Sequence, residues 1–213
     1  MRELAIKVLT FGAIAYFLIG SAAYWGQHFL IYPRDPTRTD PGRLGLVDVR
    51  ERLMPTDDGE TIVVWRAAAA AGRPTVLYFH GNGGALANRA YRIGYFRERG
   101  FGLAMMSYRG YSGSSGRPSE QANYRDAAQV LAELEREGTR RGDIFVYGES
   151  LGTGVAVELA ASHEEVPRAV ADELDLLADR VADGDARALR RRHAGGGDED
   201  RAGDRELGAV AIA

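Results

Sequence analysis

Short apolar runs alternate along the chain with stretches of helical spacing. Thr75–Phe79, Phe101–Tyr108 and Ile144–Tyr147 are continuous apolar runs rich in aromatic, β-branched and other large side chains, the pattern of strands buried on both faces. Between the first two, residues 85–99 carry Leu86, Ala90, Ile93, Tyr95 and Phe96 at near-helical spacing, and Gly100 closes the segment. Between the second and third, Ser119 opens a helix that runs to about Glu137 with Ala127, Ala128, Val130, Leu131 and Leu134 on one face. Val155–Ala160 reads as a further helix. Upstream, residues 48–54 alternate imperfectly and predict an edge strand. The turn signal Asp57-Asp58-Gly59-Glu60 and the run Thr61–Trp65 complete a hairpin. A hairpin followed by strand, helix, strand, helix, strand, helix predicts an α/β fold with a mostly parallel sheet and helices on both faces.

Both ends of the chain depart from this pattern. Val8–Trp25 is eighteen residues without a charge, and extension back to Leu4 past a snorkelling Lys7 reaches the roughly 20 residues that cross a bilayer. Tyr24 and Trp25 fit an interfacial aromatic belt. Arg2 and Lys7 favour a cytoplasmic amino terminus, which places the rest on the extracytoplasmic side; Arg34 and Arg38 oppose that orientation. The rivals to a membrane anchor are a signal peptide cleaved at Ser21-Ala22-Ala23 and a buried helix of the domain. At the other end, all nineteen aromatic residues lie between Phe11 and Tyr147, and strand patterns stop soon after the third helix. The expected organisation is therefore an anchor over residues 1–31, a Pro- and charge-rich linker over 32–43, a core over 44–166 and a divergent, disordered tail over 167–213.

Composition narrows the function classes. A net charge of −3 without a basic stripe argues against a nucleic-acid partner, and the absence of cysteine excludes disulfides, thiolate chemistry and Cys-based zinc sites. There is no Gly-x-x-x-x-Gly-Lys-Ser/Thr and no Gly-x-Gly-x-x-Gly after a strand, so a nucleotide-binding reading is weak.

The chemistry centres on Gly148-Glu149-Ser150-Leu151-Gly152, which leaves an apolar strand and enters a helix. A serine on such a strand-to-helix turn is a nucleophile elbow, with Gly148 and Gly152 giving the room that the turn needs. The alternative is an ordinary glycine-containing turn. The run His80-Gly81-Asn82-Gly83-Gly84 follows another central strand and can aim a backbone N–H above Ser150, and the Leu151 N–H supplies a second donor. Asn82 is the expected donor of the first loop, ahead of Gly81 or Gly83.

Together with Ser107-Tyr108-Arg109-Gly110-Tyr111-Ser112-Gly113-Ser114-Ser115-Gly116-Arg117-Pro118-Ser119-Glu120, these motifs resemble the α/β-hydrolase superfamily over residues 1 to about 165. More narrowly they resemble its membrane-anchored, single-span members, the α/β-hydrolase domain-containing or serine-aminopeptidase-like proteins. Ser112 stands where that family commonly has glycine. The resemblance implies Ser150 as nucleophile, His80 as a structural member of the oxyanion loop, no metal and no organic cofactor. It implies a small-molecule or lipid-like acyl substrate whose ester, thioester or amide bond is cleaved through an acyl-enzyme.

The family's order of nucleophile, acid, histidine is not met in a recognisable form. His28 lies in the anchor region, and His163 follows the elbow helix with no strand between. His193 alone follows a choice of acids (Asp172, Asp175, Asp179, Asp183, Asp185), but in an arginine-rich segment without strand pattern. His193 is thus the candidate base. The chain is expected to be truncated or divergent after the elbow helix, as a frame change in a GC-rich gene would leave it, and its turnover impaired. The alternative is a non-catalytic remnant or binding protein on the same fold.

Overall fold

The computed structural model describes residues 1–163; His193 and the tail expected from residue 167 onward lie outside the described residues. Helix α1 (Arg2–Ile31) is 30 residues long, about 45 Å at 1.5 Å per residue, with a mean hydropathy of 1.8 in its most apolar window. It is long and apolar enough to cross a membrane, and among the described residues nothing buries it as the core would bury a helix of the domain. Tyr32, immediately after it, is buried. The segment that follows lies along the Arg109–Pro118 loop: the Ser112 N–H donates to the Asp35 carbonyl at 2.8 Å, and a short 3-10 turn spans Pro41–Leu44.

Strands β1 (Arg50–Pro55) and β2 (Thr61–Ala67) form the expected antiparallel hairpin. Strands β3 (Thr75–Phe79), β4 (Gly102–Met106) and β5 (Ile144–Gly148) are parallel to one another, and the described sheet has the order β1-β2-β4-β3-β5. β4 pairs antiparallel with β2, so the sheet is mixed. Alternate residues of β2 to β5 point to opposite faces. Leu77, Phe79, Ala104, Met106 and Val146 face α3 (Glu120–Arg136) and α4 (Leu151–Ser162). Val76, Tyr78, Leu103, Met105 and Tyr147 face α2 (Ala90–Glu98).

The expected helix over residues 85–99 is divided. A 3-10 turn spans Leu86–Arg89 before α2 begins. The Ala85 carbonyl accepts from the Asn88 N–H at 3.1 Å and from the Arg89 guanidinium at 3.4 Å, so the first turn closes over three residues rather than four.

The chain leaves β3 for β4 on one side and returns from β4 to β5 on the other. Helices α2 and α3 are thereby sent to opposite faces, and the carboxyl ends of β3 and β5 lie side by side at the point where the direction of winding reverses. The glycine loop leaves β3 and the serine turn leaves β5, with Phe79 and Gly148 in register.

Candidate active site

Ser150 is exposed and has φ 49° and ψ −113°, a conformation that costs a non-glycine residue on the order of 1–3 kcal/mol. Among the described residues only Ser112 (φ 50°) shares positive φ without being glycine. The two flanking glycines are required by contact. A Cβ on Gly148 would lie 2.4 Å from the Gly152 carbonyl oxygen, and one on Gly152 would lie 2.1 Å from the Phe79 carbonyl oxygen. The Glu149 N–H donates to the Phe79 carbonyl at 2.9 Å, which fastens the serine turn to the end of β3. Ser150 also caps α4. Its carbonyl accepts from the Thr153 N–H at 2.9 Å and from the Thr153 hydroxyl at 2.6 Å. In a trans peptide the C=O and the next N–H point in opposite directions, so the Leu151 N–H faces back past the serine. It makes no hydrogen bond among the described residues.

The loop His80–Gly84 has its carbonyls drawn inward by side chains. The Tyr108 hydroxyl donates to the His80 carbonyl at 2.8 Å, and the Tyr111 hydroxyl to the Asn82 carbonyl at 2.9 Å. His80 Nδ1 lies 2.6 Å from the Gly81 carbonyl, which can only accept, so Nδ1 carries the proton. Nε2 then accepts from the Tyr108 N–H at 3.4 Å. Both ring nitrogens are used in holding the loop, and the ring is fully buried. The Asn82 N–H makes no hydrogen bond among the described residues, while its side chain donates to the Ile31 carbonyl at 3.2 Å, the last residue of α1. Ser112, the residue found where glycine is common, tolerates its positive φ and accepts the Leu86 N–H at 2.9 Å.

Burial, with the nearby Arg89 charge, pushes the His80 imidazole down to about 4 from an ordinary 6.5, against the opposing hydrogen bond to Gly81. The unfolded chain therefore takes up a proton below pH 6.5 that the folded chain refuses until about pH 4. Stability is full above pH 6.5 and falls by up to about 1.4 kcal/mol per unit as pH drops toward 4. Urea midpoints measured across this range are expected to show the fall in the wild type and a smaller one in His80→Gln.

The structure thus sets the serine turn against the start of the glycine loop: Gly152 lies against Phe79 and His80, and Gly81 against Glu149, the residue before Ser150. It supplies no histidine or carboxylate hydrogen-bonded to the serine hydroxyl among the described residues. His163 is at the far end of α4, with Nδ1 3.0 Å from the Leu159 carbonyl. No group of three or more His, Asp or Glu residues stands together as a metal-binding set among the described residues. Sequence reasoning missed Arg89, Glu149 and Thr153 as supports of the two loops. Glu149 sits inside the serine motif, whereas nothing local marks Arg89.

A family model described as the alpha/beta hydrolase fold matches residues 74–206. The chain belongs to this family. Its members include proteins of similar sequence. The protein bem46 of Schizosaccharomyces pombe is 32% identical over 122 residues, 56% of this chain and 40% of that protein. The lysophosphatidylserine lipase ABHD12 of Rattus norvegicus is 33% identical over 158 residues, covering 62% of this chain and 39% of the lipase. The human alpha/beta hydrolase domain-containing protein 17B is 37% identical over 92 residues, 42% of this chain and 32% of that protein. The matched part of the chain spans less than half of each relative's own length. In three dimensions this hydrolase-fold chain is similar to the Pyrococcus furiosus esterase Pf2001, with a TM-score of 0.55 at 18% identity over 64% of this chain and 55% of the esterase.

Proposed function

We propose that the protein is a membrane-tethered serine hydrolase that cleaves an acyl ester, thioester or amide through an acyl-enzyme on Ser150. The observation that carries this reading is the strained, exposed Ser150 on a strand-to-helix turn, between glycines that leave no room for a Cβ. Ser150 Oγ attacks the acyl carbon, and the carbonyl oxygen takes the negative charge. The Asn82 and Leu151 N–H groups are the proposed donors to that oxyanion. Collapse expels the alcohol, thiol or amine with the proton that the serine gave to a base, and water then releases the acyl group by the same steps. His193 is the candidate base, acting with an acid from the same later part of the chain.

A lipid-like acyl substrate is supported by the end of α1. Its last carbonyl is held by the Asn82 side chain, so the helix that is apolar enough to cross a membrane ends at the proposed oxyanion loop. The similar rat protein is named as a lysophosphatidylserine lipase. An extracytoplasmic catalytic domain is supported by Arg2 and Lys7 at the amino end of the helix.

A second reading, a non-catalytic binding protein on this fold, is favoured by one observation. Among the described residues nothing stands ready to take the serine's proton. Fluorophosphonate labelling of the full chain in detergent separates the two. The hydrolase reading expects one adduct, mapped to Ser150 by peptide mass and absent from Ser150→Ala, with labelling strongly slowed in His193→Ala. Absence of labelling in the wild type would favour the binding protein.

A further inference from the structure

The geometry points to Arg89 and Glu149 as positioning residues that set the two proposed oxyanion donors against each other, an inference that rests on the serine-hydrolase reading. Arg89 follows the glycine loop, and its side chain folds back beneath it. Nη1 donates to the Gly83 carbonyl and, at 3.4 Å, to the Ala85 carbonyl, while Nη2 donates to the Gly81 carbonyl at 3.5 Å. The same guanidinium faces the Glu149 carboxylate as a fork, Nε to Oε2 and Nη2 to Oε1, each at 3.4 Å. These bonds to the carboxylate are long, so charge contributes more than hydrogen-bond directionality. Arg89 is 7% exposed, where screening by water is weak.

Glu149 is held from the other side. It accepts from the Tyr78 hydroxyl at 2.7 Å and pairs with Arg92 at 3.0 Å. Burial pulls its carboxyl up, but the Tyr78 hydrogen bond and the charges of Arg89 and Arg92 outweigh it and hold the group below the usual carboxylate range. Gly81 has no side chain to separate the partners. A Cβ there would lie 3.2 Å from Glu149 Oε1 and 3.3 Å from Arg89 Nη2.

The peptide plane converts these contacts into a function. The Gly81 carbonyl and the Asn82 N–H belong to one trans peptide and point oppositely. Drawing the carbonyl toward His80 and Arg89 turns the Asn82 N–H away from them. Glu149 immediately precedes Ser150, so the charge pair links the glycine loop directly to the turn that carries the Leu151 N–H. Two donors on different loops are useful only at a fixed separation, because misplacement by a fraction of an ångström weakens both hydrogen bonds to the oxyanion. Arg89 and Glu149 span that separation.

The test is the kinetics of fluorophosphonate labelling of the full chain in detergent, resolved into the maximal inactivation rate and the probe's apparent binding constant. Losing one oxyanion donor outright slows acylation roughly 100- to 1000-fold. Arg89→Ala, which frees the loop, is expected to lower the maximal rate about 100-fold, and Glu149→Gln and Arg89→Lys about tenfold, on that same scale. The apparent binding constant stays within about twofold, since the ground-state complex does not use the oxyanion donors. Glu149→Gln keeps the shape of the side chain and its hydrogen bond to Tyr78, so it decides the matter if Arg89→Ala does not fold. Variants that label at the wild-type rate overturn the proposal while leaving Ser150 as nucleophile. Losses that come with weaker probe binding and follow the melting temperature overturn it too, because they mark a pair that only stabilises the fold. A wild type that is not labelled fails the serine-hydrolase reading itself and takes the positioning role with it.

Discussion

Gly152→Ala is expected to destabilise the folded protein by about 3 kcal/mol or more and to abolish labelling at Ser150. The added Cβ would lie 2.1 Å from the Phe79 carbonyl oxygen, 2.6 Å from its carbon and 3.0 Å from the His80 carbonyl oxygen. All three are backbone atoms at the end of a central strand, so no side chain can swing aside. Relief requires α4 to retreat from β3, and that retreat would break the Glu149 N–H bond to Phe79 that joins the two loops. Gly154→Ala, two residues along the same helix, is the matched control. Nothing lies within 4 Å of its Cβ position, and alanine is favoured over glycine in a helix by about 1 kcal/mol. Thermal denaturation followed by circular dichroism should place Gly154→Ala at or above the wild type and Gly152→Ala far below it. Equal melting temperatures for the two variants would mean that the elbow does not need its close approach.

Arg109→Ala is expected to cost about 3–5 kcal/mol, because it leaves a buried carboxylate without its counter-charge. Asp126 is 1% exposed and accepts from Arg109 Nε at 2.8 Å and Nη2 at 2.7 Å. The same guanidinium forks onto Asp58 at 2.7 and 2.9 Å, joining the hairpin turn, α3 and the Arg109–Pro118 loop at one point. Arg109→Met combined with Asp126→Leu removes both buried charges and is expected to recover most of the loss, since an apolar pair of similar size replaces a buried ion pair at little cost. Chemical denaturation of the single and double variants measures the difference. The consequence reaches the candidate active site, because Tyr111 in this loop donates to the Asn82 carbonyl. Arg109→Ala should therefore label more slowly than its melting temperature alone explains. A double variant as unstable as the single one would show that packing in the loop, rather than the unpaired charge, sets the cost.

The serine motif was legible because its demands are local. A turn tight enough to hold Ser150 at φ 49° excludes side chains at residues 148 and 152, and those positions carry glycine. Strands β3, β4 and β5 were legible as continuous apolar runs, since strands covered on both faces need apolar residues at every position. The long apolar stretch near the amino terminus is likewise visible from length and lack of charge. The division of the segment before α2 was not legible. The 3-10 turn over Leu86–Arg89 depends on where the Arg89 guanidinium goes, and spacing of apolar residues carries no record of that.

Sequence by itself determined the family, the serine motif, the glycine loop and the alternation of strands and helices, because each rests on neighbours within a few residues. Tertiary structure alone decided the order β1-β2-β4-β3-β5, which sets the ends of β3 and β5 side by side. It also decided which side chains hold the loops: Tyr108 on His80, Tyr111 on Asn82, and Arg89 on Glu149, 60 residues away in the chain. Such partners are chosen by distance in space after the sheet has formed, and an arginine or tyrosine in the sequence reads the same whether it meets solvent or a buried carbonyl.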